Sequence, residues 1–333
     1  MKKKRVIGLM VLFCILSAGS LSALTLKVGS LAPSDSPWDT ALKRLAILWK
    51  DISGGRVTMK IYPGGIAGDE ADMVRKVRIG QLDGAALTGT GLNRITSELL
   101  VLSLPMFYTS YGELRYIFEN TTEEFSGIVR EKGFELITWT TAGWAHFFGK
   151  RPVLTPDDLR AQRIAVSAED EEILYTWRAM GFDALPLHTT GLMAGLQSGM
   201  AEAFHTPPLI AAIYQWFGLA PYMSSMAMAP LITGIVIGER SWRRIPDQFK
   251  EEFLEAAQTI TLPLYDEVEK LEIEAIQIMK DNGLTINHQT EEDIASWQDV
   301  IKQGHDILVG TSISPEVYEK VKALRDEYRR THE

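Results

Sequence analysis

Apolar and polar positions in the first quarter of the chain follow two different periods. Three short stretches have the alternating or continuously apolar pattern of strands: residues 24–29, 57–62 and 83–88. Two stretches repeat apolar side chains at helical spacing: residues 37–49 and 69–79. Ser36 followed by Pro37 is a favourable helix start, because proline fits the first helical position. Strands that alternate with helices in this way predict a parallel sheet covered on both faces.

The same alternation returns after residue 133. Strands are predicted at residues 134–141, 163–167 and 232–238. Ser167 and Asp170 together resemble a capping box, which predicts that a helix starts at Ser167 and ends near Gly181. The last third of the chain predicts helices over residues 246–282, 291–307 and 315–328. Pro263 lies inside the first of them and predicts a kink, because proline removes one backbone hydrogen bond.

These elements predict an α/β fold of two lobes, with a long kinked helix between the lobes and a helical C-terminus. We expect four regions: 1–23, a signal peptide; 24–142 with about 231–262, lobe I; 143–230 with about 263–285, lobe II; 286–333, C-terminal helices that pack across the lobes.

The first 23 residues have the order of a secretory signal. A cationic cluster at residues 2–5 precedes the apolar run Val6 to Leu16, and small residues lead to a cleavage site after Ala23. The apolar run is shorter than the roughly 20 residues that a membrane-spanning helix needs. We therefore expect a periplasmic protein with a cleaved signal. An uncleaved membrane anchor, or lipidation at Cys14, is the alternative.

The net charge and the composition of the chain limit the kinds of molecule that it can bind. The formal charge is −9, and loss of the four cations in the signal segment makes it −13. Such an acidic body is unsuited to nucleic acid or to anionic lipid. Cys14 is the only cysteine, so no disulfide is expected in the exported part.

Short catalytic signatures are missing from the sequence. It contains neither Gly-x-Ser-x-Gly nor a phosphate-binding loop, and its histidines lack metal-binding spacing. The acidic run at residues 169–172 is better explained by the first turn of a helix than by calcium. We therefore predict no catalysis, no cofactor and no metal. The alternative is an exported enzyme that uses His146, His188 or His205 as acid or base.

Several ordered blocks resemble the DctP-like solute-binding proteins of tripartite ATP-independent periplasmic (TRAP) transporters. The blocks are PGGIAGDE at 63–70, GQLD at 80–83, KRPVLTPDDL at 150–159, LQSGMAEA at 196–203 and Trp242 with Ile245-Pro246. The resemblance implies two lobes that close on a small ligand, and permease subunits in the membrane as partners. It also allows a periplasmic helical-repeat partner.

The departures from the family pattern bear on the ligand. The family holds a carboxylate with an arginine in a strand that here contains Ala165, and Arg163 matches a family lysine. A second family arginine falls at about Ala145, and a family asparagine falls at Thr206. Without the guanidinium, a bound carboxylate loses its strongest partner. An organic acid held by Arg163, Arg94 or another cation is the alternative.

Aromatic residues and methionines surround these positions in the sequence, which favours an apolar or amphipathic, lipid-like ligand. The predicted ligand-binding residues are Trp144, Ala145, Phe147, Arg163, Ala165, Met193, Phe204, Thr206 and Trp216.

Overall fold

The computed structural model describes residues 23–332. The predicted signal segment therefore lies outside the described residues, apart from Ala23. Ten strands form one mixed sheet in the order β2-β1-β3-β9-β4-β7-β5-β6, and β8 joins β4 to β10. The strands are β1 Leu24–Ser30, β2 Val57–Tyr62, β3 Gly84–Thr88, β4 Phe134–Gly149, β5 Ile164–Ser167, β6 Ala184–Leu187, β7 Ala203–Thr206, β8 Tyr222–Ser224, β9 Ala229–Gly238 and β10 Thr285–Asn287.

Twelve α-helices cover this sheet within the described residues. They are α1 Pro37–Ile52, α2 Glu70–Arg78, α3 Gly89–Asn93, α4 Tyr111–Glu131, α5 Pro156–Arg160, α6 Glu171–Ala179, α7 Leu192–Ser198, α8 Pro208–Ile213, α9 Glu239–Trp242, α10 Asp247–Asp281, α11 Glu291–Leu308 and α12 Pro315–His332. Short 3-10 turns occupy Ser97–Ser103, Thr189–Gly191 and Trp216–Gly218.

The long strand β4 joins two α/β units. Its first part pairs antiparallel with β9, as far as Ala145 opposite Ala229, and its last four residues pair with β7. Strands β1, β2 and β3 are parallel to one another on one side, and β5, β6 and β7 are parallel on the other. We call the unit of β1, β2, β3, β9 and the first part of β4 lobe I. The unit of β5, β6, β7 and the end of β4 is lobe II. The predicted two-lobe α/β class is confirmed, while the residue boundaries proposed between the lobes stay a prediction.

Helix starts follow local side-chain chemistry. The Ser36 hydroxyl accepts a hydrogen bond from the Asp39 amide, with Pro37 as the first helical residue of α1, as predicted. Helix α6 differs from the prediction. Its N-cap is Asp170, whose carboxylate accepts from the Ile173 amide, while Ser167 is the last residue of β5. The strand continues through Ser167, so that residue cannot also cap the helix.

The long helix α10 contacts both lobes. Near its start, Phe253 stacks on Trp49 of α1 at a centroid distance of 4.2 Å, in the core of lobe I. Near its end, Met279 packs in a core cluster of lobe II that contains Phe148 and Phe204. Pro263 lies inside the helix, which is helical on both sides of it. The predicted kink therefore stays a prediction.

The two C-terminal helices pack on different lobes. Trp297 and Ile301 of α11 are buried in the core of lobe II, beside Phe147. Val317 and Val321 of α12 are buried in the core of lobe I. Within residues 23–332, none of the helices has the length and apolar character required to cross a bilayer.

Candidate ligand-binding site

A cavity of about 270 Å³ lies between the two lobes. It is at the carboxyl ends of β1, β3 and β5, where ligands bind in open α/β sheets. Lobe I contributes Trp38, Glu70 and Thr88 among others. Lobe II contributes residues of β5 and β7 and of the segments after them: Ala165, Ser167, Glu169, Phe204, His205, Thr206 and Trp216.

Aromatic rings form the wall of the cavity in lobe II. Phe204 stacks on Phe148 with a centroid distance of 5.1 Å and an interplanar angle of 3°. Trp216 meets Phe204 edge-on at 5.7 Å and stacks on Tyr214 at 4.6 Å. Ala165 is buried in the same cluster. These contacts form an apolar wall in which each ring packs against another ring.

The charged groups of the cavity are acidic. Among its lining residues, all within the described part of the chain, there is no lysine and no arginine. Glu70 lies at the wall and accepts hydrogen bonds from the Thr88 amide, the Thr88 hydroxyl at 2.7 Å and the Gly91 amide at 3.1 Å. Burial raises the pKa of Glu70 to about 7, although these donors oppose the shift. Glu169 is the second acid of the wall.

Two buried nitrogen atoms at the cavity wall lack a hydrogen-bond partner within residues 23–332. They are Nε1 of Trp38 and Nδ1 of His205. Burial lowers the pKa of His205 to about 4, so the ring is neutral at neutral pH. The site therefore offers an uncharged indole N–H donor and a neutral imidazole to whatever binds there.

Four of the nine residues predicted to bind ligand line this cavity: Ala165, Phe204, Thr206 and Trp216. Ala145 lines a second, adjoining cavity of about 150 Å³. The two cavities share part of their wall, including Val166, His205 and Leu231.

The structure places the other predicted residues elsewhere. Phe147 is fully buried in the core of lobe II and stacks on Trp297 at 5.0 Å. Successive side chains of a strand point to opposite faces, so Phe147 points away from the face that Phe148 and Phe204 share. Trp144 is buried in the core of lobe I, edge-on to Tyr111 at 5.9 Å. Met193 packs beside the aromatic cluster of lobe II without lining the cavity.

Arg163 is absent from the cavity wall, contrary to the prediction. It precedes β5 at the amino end of the strand, while the cavity lies at the carboxyl end. Its guanidinium is half-exposed and donates to the Asp183 carboxylate at 3.0 Å. Arg94 is exposed and is also absent from the wall.

Trp38 and Glu70 are among the cavity residues that the sequence did not single out. Both lie in the first turn of a helix that follows a parallel strand, and such positions meet at one edge of the sheet, so strand order was the signal that could have indicated them. Tyr214, one of the aromatic residues expected near the site, also lines the cavity.

The three histidines proposed as catalytic groups have different surroundings. His146 Nδ1 is hydrogen-bonded to the Ser224 carbonyl at 2.9 Å, and desolvation lowers the pKa of the ring. His188 lies at the cavity margin beside the carboxylates of Asp69 and Glu169. His205 lies deep in the wall, as described above.

The fold and the interlobe cavity define a two-lobe solute-binding protein. A solved structure from Xanthobacter autotrophicus, a TRAP periplasmic solute-binding protein with bound β-D-galacturonate, matches with a TM-score of 0.84 and 17% identity over 90% of this chain and 99% of that chain. A structure from Chromohalobacter salexigens with bound D-glucuronate matches with a TM-score of 0.82 and 22% identity, over 90% and 99%.

Sequence comparison gives the family. The profile of the bacterial extracellular solute-binding protein family 7, DctP, matches residues 28–309, and the chain belongs to this family. The sialic acid-binding periplasmic protein SiaP of Vibrio cholerae is 20% identical over 94% of this chain and 98% of its own length. The resemblance to TRAP solute-binding proteins is thereby confirmed. Proteins of this family are solute-binding receptors that work with membrane permease subunits.

Proposed function

We propose that this receptor works in the periplasm and binds an uncharged apolar or amphipathic molecule in the interlobe cavity. The observation that carries the proposal is the charge of the wall, which includes Glu70 and Glu169 but no lysine or arginine. A ligand carboxylate there would find no cationic side chain to pair with. It would also lack the guanidinium contact, which is worth roughly 1.5–3 kcal/mol.

The solved structures that are similar to this chain contain bound organic acids, which differ in charge from the proposed ligand. The compared structures contain galacturonate and glucuronate, which are anions at neutral pH. In this chain, the two arginines proposed for an acid, Arg163 and Arg94, are not part of the wall. Burying an uncompensated carboxylate costs several kcal/mol, so the same anions should bind poorly.

Polar atoms of the wall suit a ligand with a small uncharged polar end. Trp38 Nε1 can donate to a carbonyl or hydroxyl oxygen, and neutral His205 can accept from or donate to a hydroxyl. The second cavity adjoins the first at His205 and is lined largely by apolar side chains, among them Leu100, Met180 and Leu308. An elongated amphiphile could place its apolar chain against these side chains.

The other parts of the proposal follow from the family. The partners would be the permease subunits of a TRAP transporter, and a periplasmic helical-repeat protein is a further candidate. An enzyme is the competing class, with His146, His188 or His205 as its acid or base.

The test is to identify the co-purifying molecule. Organic-solvent extraction of the purified protein followed by mass spectrometry should give a hydrophobic molecule at close to one equivalent. Calorimetry of the extracted, refolded protein should then detect no binding of galacturonate, glucuronate or succinate. Tight binding of any of these acids would overturn the proposal, and Arg163→Ala is the control that should alter neither result.

A further inference from the structure

Three potential metal ligands from distant parts of the sequence meet at the margin of the cavity. Asp69 belongs to lobe I, while Glu169 and His188 belong to lobe II. One ligand atom from each of the three residues lies within 4.8 Å of the other two. Within residues 23–332, this is the one group of three or more histidine, cysteine or acidic side chains that meets such a spacing.

The amino end of α2 orients both carboxylates. Asp69 accepts from the Asp72 amide through Oδ1 at 2.8 Å, and Glu169 accepts from the Ala71 amide through Oε2 at 3.0 Å. The second oxygen of each carboxylate is left facing His188. Hydrogen bonds of this kind hold metal ligands in position in known sites.

One hydrogen bond, between His188 Nδ1 and Glu169 Oε1, accounts for only one of the two contacts of His188, whereas a shared metal ion accounts for both. His188 Nδ1 is 3.4 Å from Asp69 Oδ2 and 3.3 Å from Glu169 Oε1. Charge-assisted N–H···O bonds are shorter, about 2.7–2.9 Å, and one ring nitrogen carries at most one hydrogen for the two oxygens. Ligands at about 2.0–2.1 Å from a tetrahedral zinc ion are about 3.3–3.4 Å apart.

The negative charge of Asp69 and Glu169 also favours binding of a cation beside His188. The two carboxylates carry two negative charges when ionised, and the Glu169 side chain is only 5% exposed. No lysine or arginine forms a salt bridge to either acid within the described residues. The His188 side chain is 53% exposed, which leaves room for water to complete the coordination.

We propose that Asp69, Glu169 and His188 form an interlobe binding site for a Zn²⁺-class divalent cation. One imidazole and two carboxylates suit zinc better than magnesium or calcium, which favour oxygen alone. Short-motif spacing cannot reveal this site, so the proposal departs from the sequence-based expectation of no metal. Since the ligands come from both lobes, the ion would favour the closed arrangement.

Zinc titration of the chelator-treated protein tests the site. Calorimetry and elemental analysis after dialysis should give one zinc per chain. His188→Ala and Asp69→Asn should each weaken binding by about tenfold or more. Asparagine is as good an N-cap as aspartate, so Asp69→Asn leaves the start of α2 intact. His288→Ala, an exposed histidine outside the cavity, should bind zinc like the wild type.

Three results would overturn the site: no zinc retained by the wild type, wild-type affinity in His188→Ala, or an equal loss in His288→Ala. Circular dichroism of each variant establishes that it is folded. Zinc should also reduce the radius of gyration of the wild type in solution scattering and leave that of His188→Ala unchanged. A radius independent of zinc in both proteins would contradict the bridging role.

Discussion

The buried carboxyl group of Glu272, which lies beside the long strand β4, makes the stability of the protein depend on pH. It lies on α10, is 9% exposed, and accepts a hydrogen bond from the Tyr111 hydroxyl at 3.0 Å. A side chain at Gly143, which has a φ of 111°, would overlap its carboxyl group. Burial raises the pKa of Glu272 to about 8, from an ordinary value of 4.5. The folded chain therefore holds a proton at neutral pH that the unfolded chain has lost.

Proton binding by Glu272 determines whether the folded state gains or loses stability as the pH rises. Between these two pKa values the folded state binds more protons than the unfolded state, so its stability falls as the pH rises. Each pH unit inside the window is worth about 1.4 kcal/mol per group. Between about pH 6 and pH 8, the wild type should lose about 2 kcal/mol through Glu272 alone. Glu272→Gln keeps an oxygen for Tyr111 and cannot ionise, so it should lose none of this amount.

Urea unfolding at the two pH values, followed by tryptophan fluorescence, measures the difference. The free energy of unfolding of Glu272→Gln relative to wild type should rise by about 2 kcal/mol from pH 6 to pH 8. Glu251→Gln is the matched control on the same helix, since Glu251 is exposed and lies far from Glu272 in the sequence. An unchanged difference between the two pH values, or an equal rise in Glu251→Gln, would refute the proposed buried neutral carboxyl.

Three further predictions concern the cavity and the long helix. Ala165→Arg places an unpaired cation against Phe204, so the variant should stay folded by circular dichroism but lose its co-purifying hydrophobic molecule; retention of that molecule would contradict the proposed wall. Trp38→Phe removes one donor and should weaken ligand binding by about five- to tenfold in calorimetry, with unchanged affinity as the contrary result. Pro263→Ala should shift the open–closed balance in solution scattering, and an unaltered profile and affinity would show that the proline has no part in closure.

Some helices could be located from the sequence, and others could not. Helices α1, α11 and α12 begin at cap or proline positions that are visible in the chain, and their starts were predicted within a residue. Helix α4, at 111–131, was not predicted. Its apolar residues recur at helical spacing, but Asn120, Thr121 and Thr122 in the middle are weak helix formers that dilute the pattern. Its packing against the core of lobe I overrides their propensity.

The sequence indicates which positions reach the cavity where that depends on strand order, and it does not where it depends on side-chain direction. Ala165 and Thr206 lie at the cavity because the carboxyl ends of parallel strands meet there. Phe147 packs on Trp297 in the core of lobe II and not at the cavity, a difference from Phe148 that follows from the alternation of side chains along β4. The meeting of Asp69, Glu169 and His188 has no trace in the sequence, because only the packing of the two lobes brings them together.

The position of β9 in the sheet has a consequence for how the chain folds. Residues 84–88 of β3 pair with residues 233–237 of β9, which is also the neighbour of β4. The sheet of lobe I therefore remains incomplete until all of lobe II's parallel strands have been synthesised. Contacts so distant in sequence slow folding, because the intervening chain must be closed into a loop first. The chain up to residue 228 therefore cannot form the native sheet of lobe I on its own, because the strand between β3 and β4 has not yet left the ribosome.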